Sequence, residues 1–469
     1  MSAPSPWDEL VSAALVGTGR RPLAGVAAGE METEVLERAA VRTVRARAGQ
    51  RLRRGRPLEP APAEDRPRVP PAAGDRLARI LGGERPRLLA EWLEIAAGHG
   101  RRVPPHLLPE LLDRAVADRS IRPHLGVLAG ARGRWLAGLN PAWGFLLREV
   151  TAAGVAGTAA RVWERGTPGD RRAHLGALRA ADPAGARLLL EETWERETPD
   201  DRAAFLEVLA DRLGPGDEPF LESALDDPRR EVRRWAADLL TRLPGSLLGL
   251  RMTARAARLL AVEDGRLRVT PPDACDAAME RDGVRARPPR GAGRRGWWLQ
   301  QVVARTPLAA WPGLLGRPPR ELVRMRVADR GREVMAGWVR AAILQGDPEW
   351  AGELFARDPL ADLLTVLPRA ERERVAADFV REHAPDGQLI MVLGGSAAPW
   401  GPGLAQAVLE KILTILGTQP WNLGELTRLA GERVDPALYG LAERFSPEPP
   451  VQEVASLLRF RHDMVKELQ

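Results

Sequence analysis

The sequence has almost none of the residues that build disulfides, metal sites or sheets. Its 469 residues include one cysteine, Cys275, so no disulfide can form within the chain and no cysteine-rich metal site is possible. Aromatic residues make up 5% of the chain, and tyrosine occurs once. Strands favour Val, Ile, Thr, Tyr and Phe, whereas this sequence is rich in Ala, Leu, Arg and Glu, which favour helices. The composition therefore predicts an all-α protein.

Signals for membrane insertion and secretion are missing as well. The uncharged stretch from Leu389 to Leu409 contains four Gly and two Pro and would make a poor membrane helix. The N-terminal residues include Asp8 and Glu9 before any apolar run, which is unlike a signal peptide. We expect a cytoplasmic protein that does not bind membranes.

Lysine is nearly absent, although the chain is basic overall. Of the 69 Lys and Arg residues, only Lys411 and Lys466 are lysine, and 63 acidic residues leave a net charge of +6. This bias is what GC-rich codons would give. Because arginine does not deprotonate, a small excess of it raises the isoelectric point to about 10.4. The charge alone is therefore weak evidence for nucleic-acid binding.

Apolar patterning and composition divide the chain into five regions. These are an N-terminal helical segment (1–50), a Pro- and Arg-rich linker (51–74), a helical-repeat region (75–282), a basic loop (283–296) and a C-terminal helical region (297–469). In the first segment, the pattern predicts a helix that ends near Gly17 and a second helix from about Glu30 to Ala48. The repeats are clearest at 167–244.

Helix starts are marked by a recurring pair, in which Asp, Asn or Thr precedes proline. The side-chain oxygen of the first residue caps backbone N–H groups that lack a helical partner, and proline fits the first helical position because it has no N–H to lose. We predict a helix at each such pair: Asn140-Pro141, Thr167-Pro168, Asp182-Pro183, Thr198-Pro199, Asp227-Pro228, Asp347-Pro348, Asp358-Pro359 and Asp435-Pro436. They indicate many short, separately capped helices.

The spacing of these pairs indicates a repeat. Thr167 and Thr198 are 31 residues apart, and Thr198 and Asp227 are 29 apart. A period of this length with two helices per unit is typical of a solenoid, because one hairpin cannot bury its apolar face alone. After Asp227, one helical face is apolar: Val232, Trp235, Ala236, Leu239, Leu240 and Leu243. We predict a HEAT/armadillo-like α-solenoid of stacked helical hairpins, with a less regular helical C-terminal half.

Two resemblances agree with this pattern. LDDPRREVRRWAADLLTRLP (225–244) resembles a HEAT-type repeat. The whole chain resembles an uncharacterised family, a domain of unknown function found mainly in high-GC bacteria, through WDELVSAALVGTGRRPL, GARGRWLAGLNPAW, that repeat and GWWLQQVVARTPLAAWP. Members of that family are often encoded beside a SWIM-type zinc-finger protein, a MoxR-like ATPase and a von Willebrand A-type protein. The resemblance implies these proteins as candidate partners and carries no activity with it.

Signatures of enzyme chemistry are absent from the sequence. No Gly-Lys-Ser or Gly-Lys-Thr phosphate loop occurs, and none of the six His belongs to a His-Glu-x-x-His pair. Ser396 lacks the Gly-x-Ser-x-Gly elbow, and Cys275 has no neighbouring His or Lys. We predict that the protein is not an enzyme and that it holds no cofactor or metal.

Two tryptophan-rich segments are the candidates for a binding surface. In one, two Trp flank the Asn140-Pro141 helix start; in the other, two adjacent Trp cannot share one helix face. Trp and Arg are favoured at the centres of interfaces, although indoles also serve as packing residues between repeats. The candidate partner-binding residues are Arg132, Arg134, Trp135, Asn140, Trp143, Trp297, Trp298, Gln300 and Gln301.

Three functions remain open on the sequence. The first is a non-enzymatic scaffold or adaptor that binds a protein partner, such as the ATPase or zinc-finger protein implied by the resemblance. The second is nucleic-acid binding, motivated by the isoelectric point and by two Arg-rich loops, Arg45–Arg56 and Arg285–Arg295. The third is a repeat-based enzyme, such as a glycosylase or lyase, which needs a carboxylate of raised pKa in an aromatic-lined cleft.

Overall fold

Helices make up most of the molecule. The computed structural model describes residues 6–23, 25–27, 29–49, 58–147 and 159–469. The chain divides into two compact units, Met1–Pro62 and Ala63–Gln469. Over the described residues, strands are limited to one short pair. The predicted all-α class is therefore confirmed.

The first unit is a pair of helices, as the sequence predicts. Helix α1 spans Pro6–Val16 and α2 spans Met31–Ala48. Gly17 follows α1 with a φ of +96°, a left-handed conformation that favours glycine and ends the helix. The side chains buried between the helices and their connection are Leu10, Ala13, Leu23, Met31 and Val35.

The second unit is a succession of short helices. An N-terminal block, called here the leading block, contains α3 Pro71–Leu81, α4 Leu89–Gly98, α5 Leu108–Ala117, α6 Arg122–Leu128 and α7 Gly130–Leu139. The next helices are α8 Ala159–Arg165, α9 Pro168–Ala181, α10 Pro183–Thr193, α11 Pro199–Leu209, α12 Glu218–Ala224, α13 Arg230–Thr241 and α14 Leu247–Ala256. Single 3₁₀ turns lie at Pro86–Leu88, Arg119–Ile121, Pro141–Trp143, Trp194–Arg196, Pro215–Asp217 and Pro436–Leu438.

The C-terminal half continues in the same way after two strands, β1 Leu260–Glu263 and β2 Arg266–Val269. Its helices are α15 Ala277–Arg281, α16 Arg294–Arg305, α17 Ala310–Leu315, α18 Pro319–Arg324, α19 Gly331–Gln345, α20 Pro348–Arg357, α21 Ala361–Val366, α22 Arg369–Glu382, α23 Gly387–Gly395, α24 Pro402–Thr414, α25 Pro420–Arg433, α26 Tyr439–Phe445 and α27 Pro449–Leu468.

Helical hairpins stack along the chain from α8 to α27. Helix α9 packs on α11 and α11 on α13, and the same next-but-one contact recurs from α19 through α21, α23 and α25 to α27. One apolar core follows this series from Trp163 to Leu458. Neighbouring hairpins thus bury apolar faces against one another. This stacking agrees with the helical repeats predicted from the sequence.

The leading block packs on the last helix of the chain. Residues from Val69 to Leu146 form a second core, which includes Phe460, Met464 and Leu468 of α27. At its edge, the guanidinium of Arg76 donates to both carboxylate oxygens of Glu467 at 2.6 Å. The block therefore adjoins α27, although most of the chain lies between them in sequence.

The Pro- and Arg-rich linker predicted for 51–74 includes the first turn of a helix. Helix α3 begins at Pro71, because proline fits a first turn and Leu77 and Ile80 supply a buried face. Just before it, the N–H of Val69 donates to a backbone carbonyl of the leading block at 2.9 Å. Residues 51–57 lie outside the described residues, and so does part of the loop Arg45–Arg56. The division at 283–296 stays a prediction.

Four of the Asp-, Asn- or Thr-Pro pairs cap α-helices as predicted. The oxygens of Thr167, Asp182, Thr198 and Asp347 accept hydrogen bonds from N–H groups in the first turns of α9, α10, α11 and α20. At Thr167 the cap is reciprocal, since Asp170 accepts from the Thr167 backbone. Asn140 and Asp435 cap only 3₁₀ turns.

Two of the predicted helix starts are wrong. One carboxylate oxygen of Asp227 accepts from the N–H of Arg229 at 2.7 Å, which closes a turn at Pro228, and α13 begins after this turn, at Arg230. The other oxygen pairs with Arg202 of the preceding repeat. After Asp358-Pro359, the chain stays extended through Leu360 and α21 begins at Ala361.

A β-hairpin lies inside the helical series, which the sequence analysis did not predict. Strands β1 and β2 pair in antiparallel register, with Leu260 opposite Val269. Their connection is Asp264-Gly265, both with positive φ, of +49° and +70°. Asp-Gly is favoured in tight hairpin turns, because both central positions need positive φ. This dipeptide was the signal that could have found the hairpin.

Arginine–carboxylate pairs connect successive repeats. Arg171 of α9 donates to both oxygens of Glu197, and Arg202 of α11 donates to Asp227 at 2.6 Å. Arg171 and Arg202 are 31 residues apart, which is the repeat length predicted from the caps. Burial opposes the ionisation of Glu197, but hydrogen bonds from Arg171 and Thr193 outweigh it and hold the pKa of Glu197 below its ordinary value.

Replacing Glu197 with Gln should weaken the acid dependence of stability. A carboxyl group whose pKa is lowered by folding stabilises the native state above its ordinary pKa, 4.5 here, and loses that contribution as pH falls through the folded pKa. We expect Glu197→Gln to be less stable at neutral pH and to lose less stability below pH ~5. Urea unfolding at several pH values measures both effects. Glu195→Gln, at an exposed neighbour, is the control, and equal pH slopes in all three proteins would contradict the assignment.

A candidate binding groove beside Trp297

The first tryptophan segment is used largely for packing. Trp143 Nε1 donates to Asp113 Oδ1 at 2.9 Å, and Asn140 Oδ1 accepts from the N–H of Ala142 at 3.1 Å. Both bonds lie within the leading block and fix the turn after α7. Arg134 and Trp135 are partly buried, and Arg132 is exposed on α7. Of these residues, Trp143 packs on the core that the leading block shares with α27.

In the second tryptophan segment, two of the four candidate residues hold a loop in place. Trp298 is buried, and its Nε1 donates to the carbonyl of Ala286 at 2.9 Å. The Gln301 amide accepts from the N–H of Arg285 at 2.8 Å and donates to the Arg285 carbonyl at 3.2 Å. Gln300 is partly buried. The side chains of Trp298 and Gln301 therefore hold the loop that precedes α16 by hydrogen bonds to its backbone.

The two segments belong to different cores. Trp143 packs on the core of the leading block, whereas Trp297 and Trp298 pack on the core of the stacked hairpins. The structure therefore gives no combined site made of both segments. The assignment of both segments to partner binding stays a prediction. Trp297 is the tryptophan that lines a groove.

Trp297 lines a groove of about 610 Å³. We call it the Trp297 groove. Its walls come from the start of α13, from α15 and from the loop that Trp298 and Gln301 hold. The lining residues are Arg230, Glu231, Arg233, Glu280, Gly283, Val284, Arg285, Ala286, Arg287, Pro288, Pro289 and Trp297. One aromatic ring, a rigid loop and several arginines thus converge on one concave surface.

The Trp297 groove carries an excess of positive charge. Four arginines and two glutamates line it. Arg234 donates a hydrogen bond to Glu231 and, with the charges of Arg285 and Arg230, holds the pKa of Glu231 below its ordinary value. The guanidinium carbon of Arg285 lies 4.8 Å from the centre of the Trp297 ring. Stacking of this kind orients a guanidinium while leaving its N–H edge available to an acceptor.

Gly283 fixes the path of the loop into the groove. Its φ is +82°, a conformation that side-chain-bearing residues rarely adopt. A Cβ atom at this position would lie 2.6 Å from the Cβ of Ala237. The loop therefore approaches α13 more closely than a residue with a side chain at position 283 would permit. The next residue, Val284, is buried. The groove wall is preorganised by backbone contacts.

The arginines that α13 contributes to the groove were not predicted from the sequence. Arg230 and Arg233 lie more than fifty residues before Trp297, in a stretch that reads as the solvated face of a repeat helix. Arg233 donates to the carbonyls of Asp227 and Pro228 at 2.7 and 3.1 Å, which holds it at the groove wall. No local signal distinguishes them from the other exposed arginines in the chain.

Groups suited to metal or nucleophilic chemistry do not gather at this groove. Within the described ranges, no cluster of three or more His, Cys, Asp and Glu side chains could hold a metal ion. Burial, together with nearby Glu280 and Asp276, raises the pKa of the Cys275 thiol to about 11, which keeps it protonated at neutral pH. In the part of the chain that the structure covers, no helix combines the length and apolarity needed to span a bilayer.

Comparisons with known proteins give one match. Residues 9–468 match a family described as a family of unknown function, DUF5691. No curated protein and no solved structure is similar enough to match the chain. The match covers nearly the whole chain and agrees with the resemblance to an uncharacterised family.

Proposed function

The chain belongs to the DUF5691 family of unknown function, and we propose that it is a non-enzymatic helical-repeat scaffold that binds a protein partner. The proposal rests on the Trp297 groove, in which arginines and a stacked indole stand on a preorganised wall. Arg and Trp are the side chains most enriched where interfaces hold their binding energy. The occupant that fits this groove is an acidic segment of a partner protein.

Charge and rigidity support an acidic partner segment. The groove has two more arginines than glutamates, and Arg285 and Arg287 are exposed to solvent at its rim. Guanidinium groups bind carboxylates through paired hydrogen bonds. Because the loop is already held by Trp298 and Gln301, little conformational entropy is lost when a partner binds. The first candidates to test are the MoxR-like ATPase and the SWIM-type zinc-finger protein that the family resemblance implies.

Charge reversal in the groove should abolish most of the binding. We expect the double variant Arg285→Glu/Arg287→Glu to bind the purified partner about tenfold more weakly or worse. A tenfold loss of affinity corresponds to ~1.4 kcal/mol. The reason is that both substitutions place like charge against the acidic segment. Biolayer interferometry with each candidate partner measures the change. The pair Arg290→Glu and Arg294→Glu is the control, because both residues are exposed in the same region and lie outside the groove lining.

The alternative ligand, nucleic acid, makes a different prediction. Binding to phosphates depends on total positive charge and weakens steeply with salt. The groove and control variants would then weaken binding to a DNA duplex equally in a mobility-shift assay at low salt. Equal loss in both variants, with no partner binding, would reject the scaffold proposal in favour of nucleic-acid binding.

A further inference from the structure

A second groove lies where the leading block meets the last helices. It has a volume of about 530 Å³ and is bounded by α25, by α27 and by the 3₁₀ turn Pro86–Leu88. We call it the Gly424 groove. Its apolar floor is made by Leu88, Leu423, Val454 and Leu457. The groove forms where α27 packs against the leading block, so its walls come from segments that are far apart in the sequence.

The two glycines of α25 have different surroundings. At Gly431, a Cβ atom would lie 2.5 Å from Leu457 Cδ2, so this glycine is explained by the close packing of α25 on α27. Gly424 lies two turns earlier on the same helix, and a Cβ atom there would have no neighbour within 4 Å. Glycine inside a helix costs stability relative to alanine. Packing therefore does not explain Gly424, and its Cβ position faces open space in the groove.

A buried hydroxyl group lies in the wall of this groove. Thr427 is 8% exposed, and its Oγ1 has no hydrogen-bond partner among the described residues. A buried polar group without a partner is costly unless a ligand or water satisfies it. Thr427 lines the groove one turn after Gly424, so it offers a single polar contact to a molecule lying on the apolar floor.

Of the three arginines that line the groove, Arg85 is partly buried and donates to the Ser456 hydroxyl at 2.9 Å, and the other two meet carboxylates. Arg428 donates to Glu425 and Glu432 at 2.8 and 2.6 Å. The Arg87 side chain, in contrast, is 75% exposed, and its contact with Glu432 is 3.6 Å long. An exposed pair of this length contributes little. Arg87 is therefore the cation best placed to meet an anionic group at the mouth of the groove.

We propose that the Gly424 groove binds a small amphiphile with an apolar body and a carboxylate head. Small-molecule sites typically have volumes of about 300–1,000 Å³, apolar walls and a few fixed polar groups, and this groove has each of these features. The apolar chain lies along Leu423, Val454 and Leu457, and the carboxylate pairs with Arg87. This site is separate from the Trp297 groove and does not depend on the function proposed for it.

The test uses two amphiphiles of opposite charge with the full chain. Dodecanoate and dodecyltrimethylammonium are titrated below their micelle concentrations by isothermal titration calorimetry. We expect dodecanoate to bind at least about tenfold more tightly, a factor equivalent to ~1.4 kcal/mol. Gly424→Trp should lower the affinity for dodecanoate by at least that factor, because the indole would fill the open space of the groove. Gly424→Ala, the matched control, should leave the affinity nearly unchanged.

A second variant keeps the test decisive if Gly424→Trp does not fold. Arg87 is exposed, so Arg87→Glu should keep the fold while reversing the preference between the two amphiphiles. Far-UV circular dichroism confirms the fold of each variant. The proposal is overturned if neither amphiphile binds, if both bind equally, or if the tryptophan and glutamate variants bind dodecanoate as the native chain does.

Discussion

The variant Arg179→Met is expected to lower the free energy of unfolding by about 3–5 kcal/mol, since it breaks a buried ion pair from one side. Arg179 is fully buried in α9. Its guanidinium donates to Asp217 at 2.9 and 2.6 Å. Methionine has similar length and leaves the Asp217 carboxylate buried without this partner. Few single substitutions in a protein have a larger expected effect.

The Arg179 guanidinium also donates hydrogen bonds to four backbone carbonyls. Its N–H groups donate to the carbonyls of Asp211 and Pro183 at 2.7 and 2.8 Å, and to those of Leu209 and Arg212 at 3.2 Å. The last carbonyls of a helix lack partners within that helix, and α11 ends at Leu209. The side chain thus connects α9 with the start of α10 and the end of α11.

The hydrogen bonds to these carbonyls distinguish Arg179 from an ordinary buried ion pair. In many proteins, a buried ion pair can be replaced by two apolar residues without loss of stability. Here, the double variant Arg179→Met/Asp217→Leu should remain destabilised, because the four carbonyls lose the donors that Arg179 supplies. Arg187→Met is the matched control, since Arg187 lies 3.8 Å from Asp217 and is partly exposed.

Hydrogen exchange locates the effect within the repeats. Stacked hairpins unfold in local units, so a single melting temperature would average over them. We expect faster exchange in α9 to α12 than in α24 and α25 of the same Arg179→Met protein, together with a lower urea midpoint. If the double variant regains native stability, then the carbonyl contacts are unimportant and this account of Arg179 is wrong.

The second large effect is expected at the contact between α27 and the leading block. The variant Arg461→Met should lower the free energy of unfolding by about 1–3 kcal/mol, because it leaves the partly buried Glu91 carboxylate and two carbonyls without this donor. Arg461 is buried and donates to both oxygens of Glu91 at distances of 2.9 to 3.1 Å. It also donates to the carbonyls of Gly431 and Val434, at 2.9 and 3.1 Å.

The loss at Arg461 should appear first in the leading block. We expect the amides of α3 and α4 to exchange faster in Arg461→Met, because both helices pack on α27. Arg459→Met is the control, since Arg459 lies two residues away, is exposed, and contacts Glu443 and the Tyr439 ring, neither of which belongs to the leading block. Unchanged protection of α3 and α4 in Arg461→Met would mean that the apolar core alone holds the block in place.

Local signals explain why much of the fold could be predicted. The caps at Thr167, Asp182, Thr198 and Asp347 depend on atoms within one turn of the helix, and they were predicted correctly. The apolar face of α13 was predicted for the same reason, because its period of 3.6 residues is set within one helix. The helix start predicted at Asp227 was wrong, because its carboxylate accepts from the N–H of Arg229 and so closes a turn before the helix begins.

The candidate binding residues could be predicted only in part. The sequence singled out Trp297 and Trp298 together, since adjacent positions on a helix face different directions. Only packing decided between them: Trp298 Nε1 binds the loop, while Trp297 lines the groove under Arg285. The arginines of α13 that complete the groove had no sequence signal, because an arginine on a repeat helix usually faces solvent.

The amino-acid sequence by itself determined the helical class and the short capped helices, including the caps 31 residues apart at Thr167 and Thr198, because each of these depends on neighbours along the chain. The tertiary structure alone decided that the leading block packs on α27 and that the Gly424 groove opens there. The physical reason is distance along the chain. Contacts such as Arg461 with Glu91 join residues hundreds of positions apart, and no periodicity encodes which distant surfaces meet.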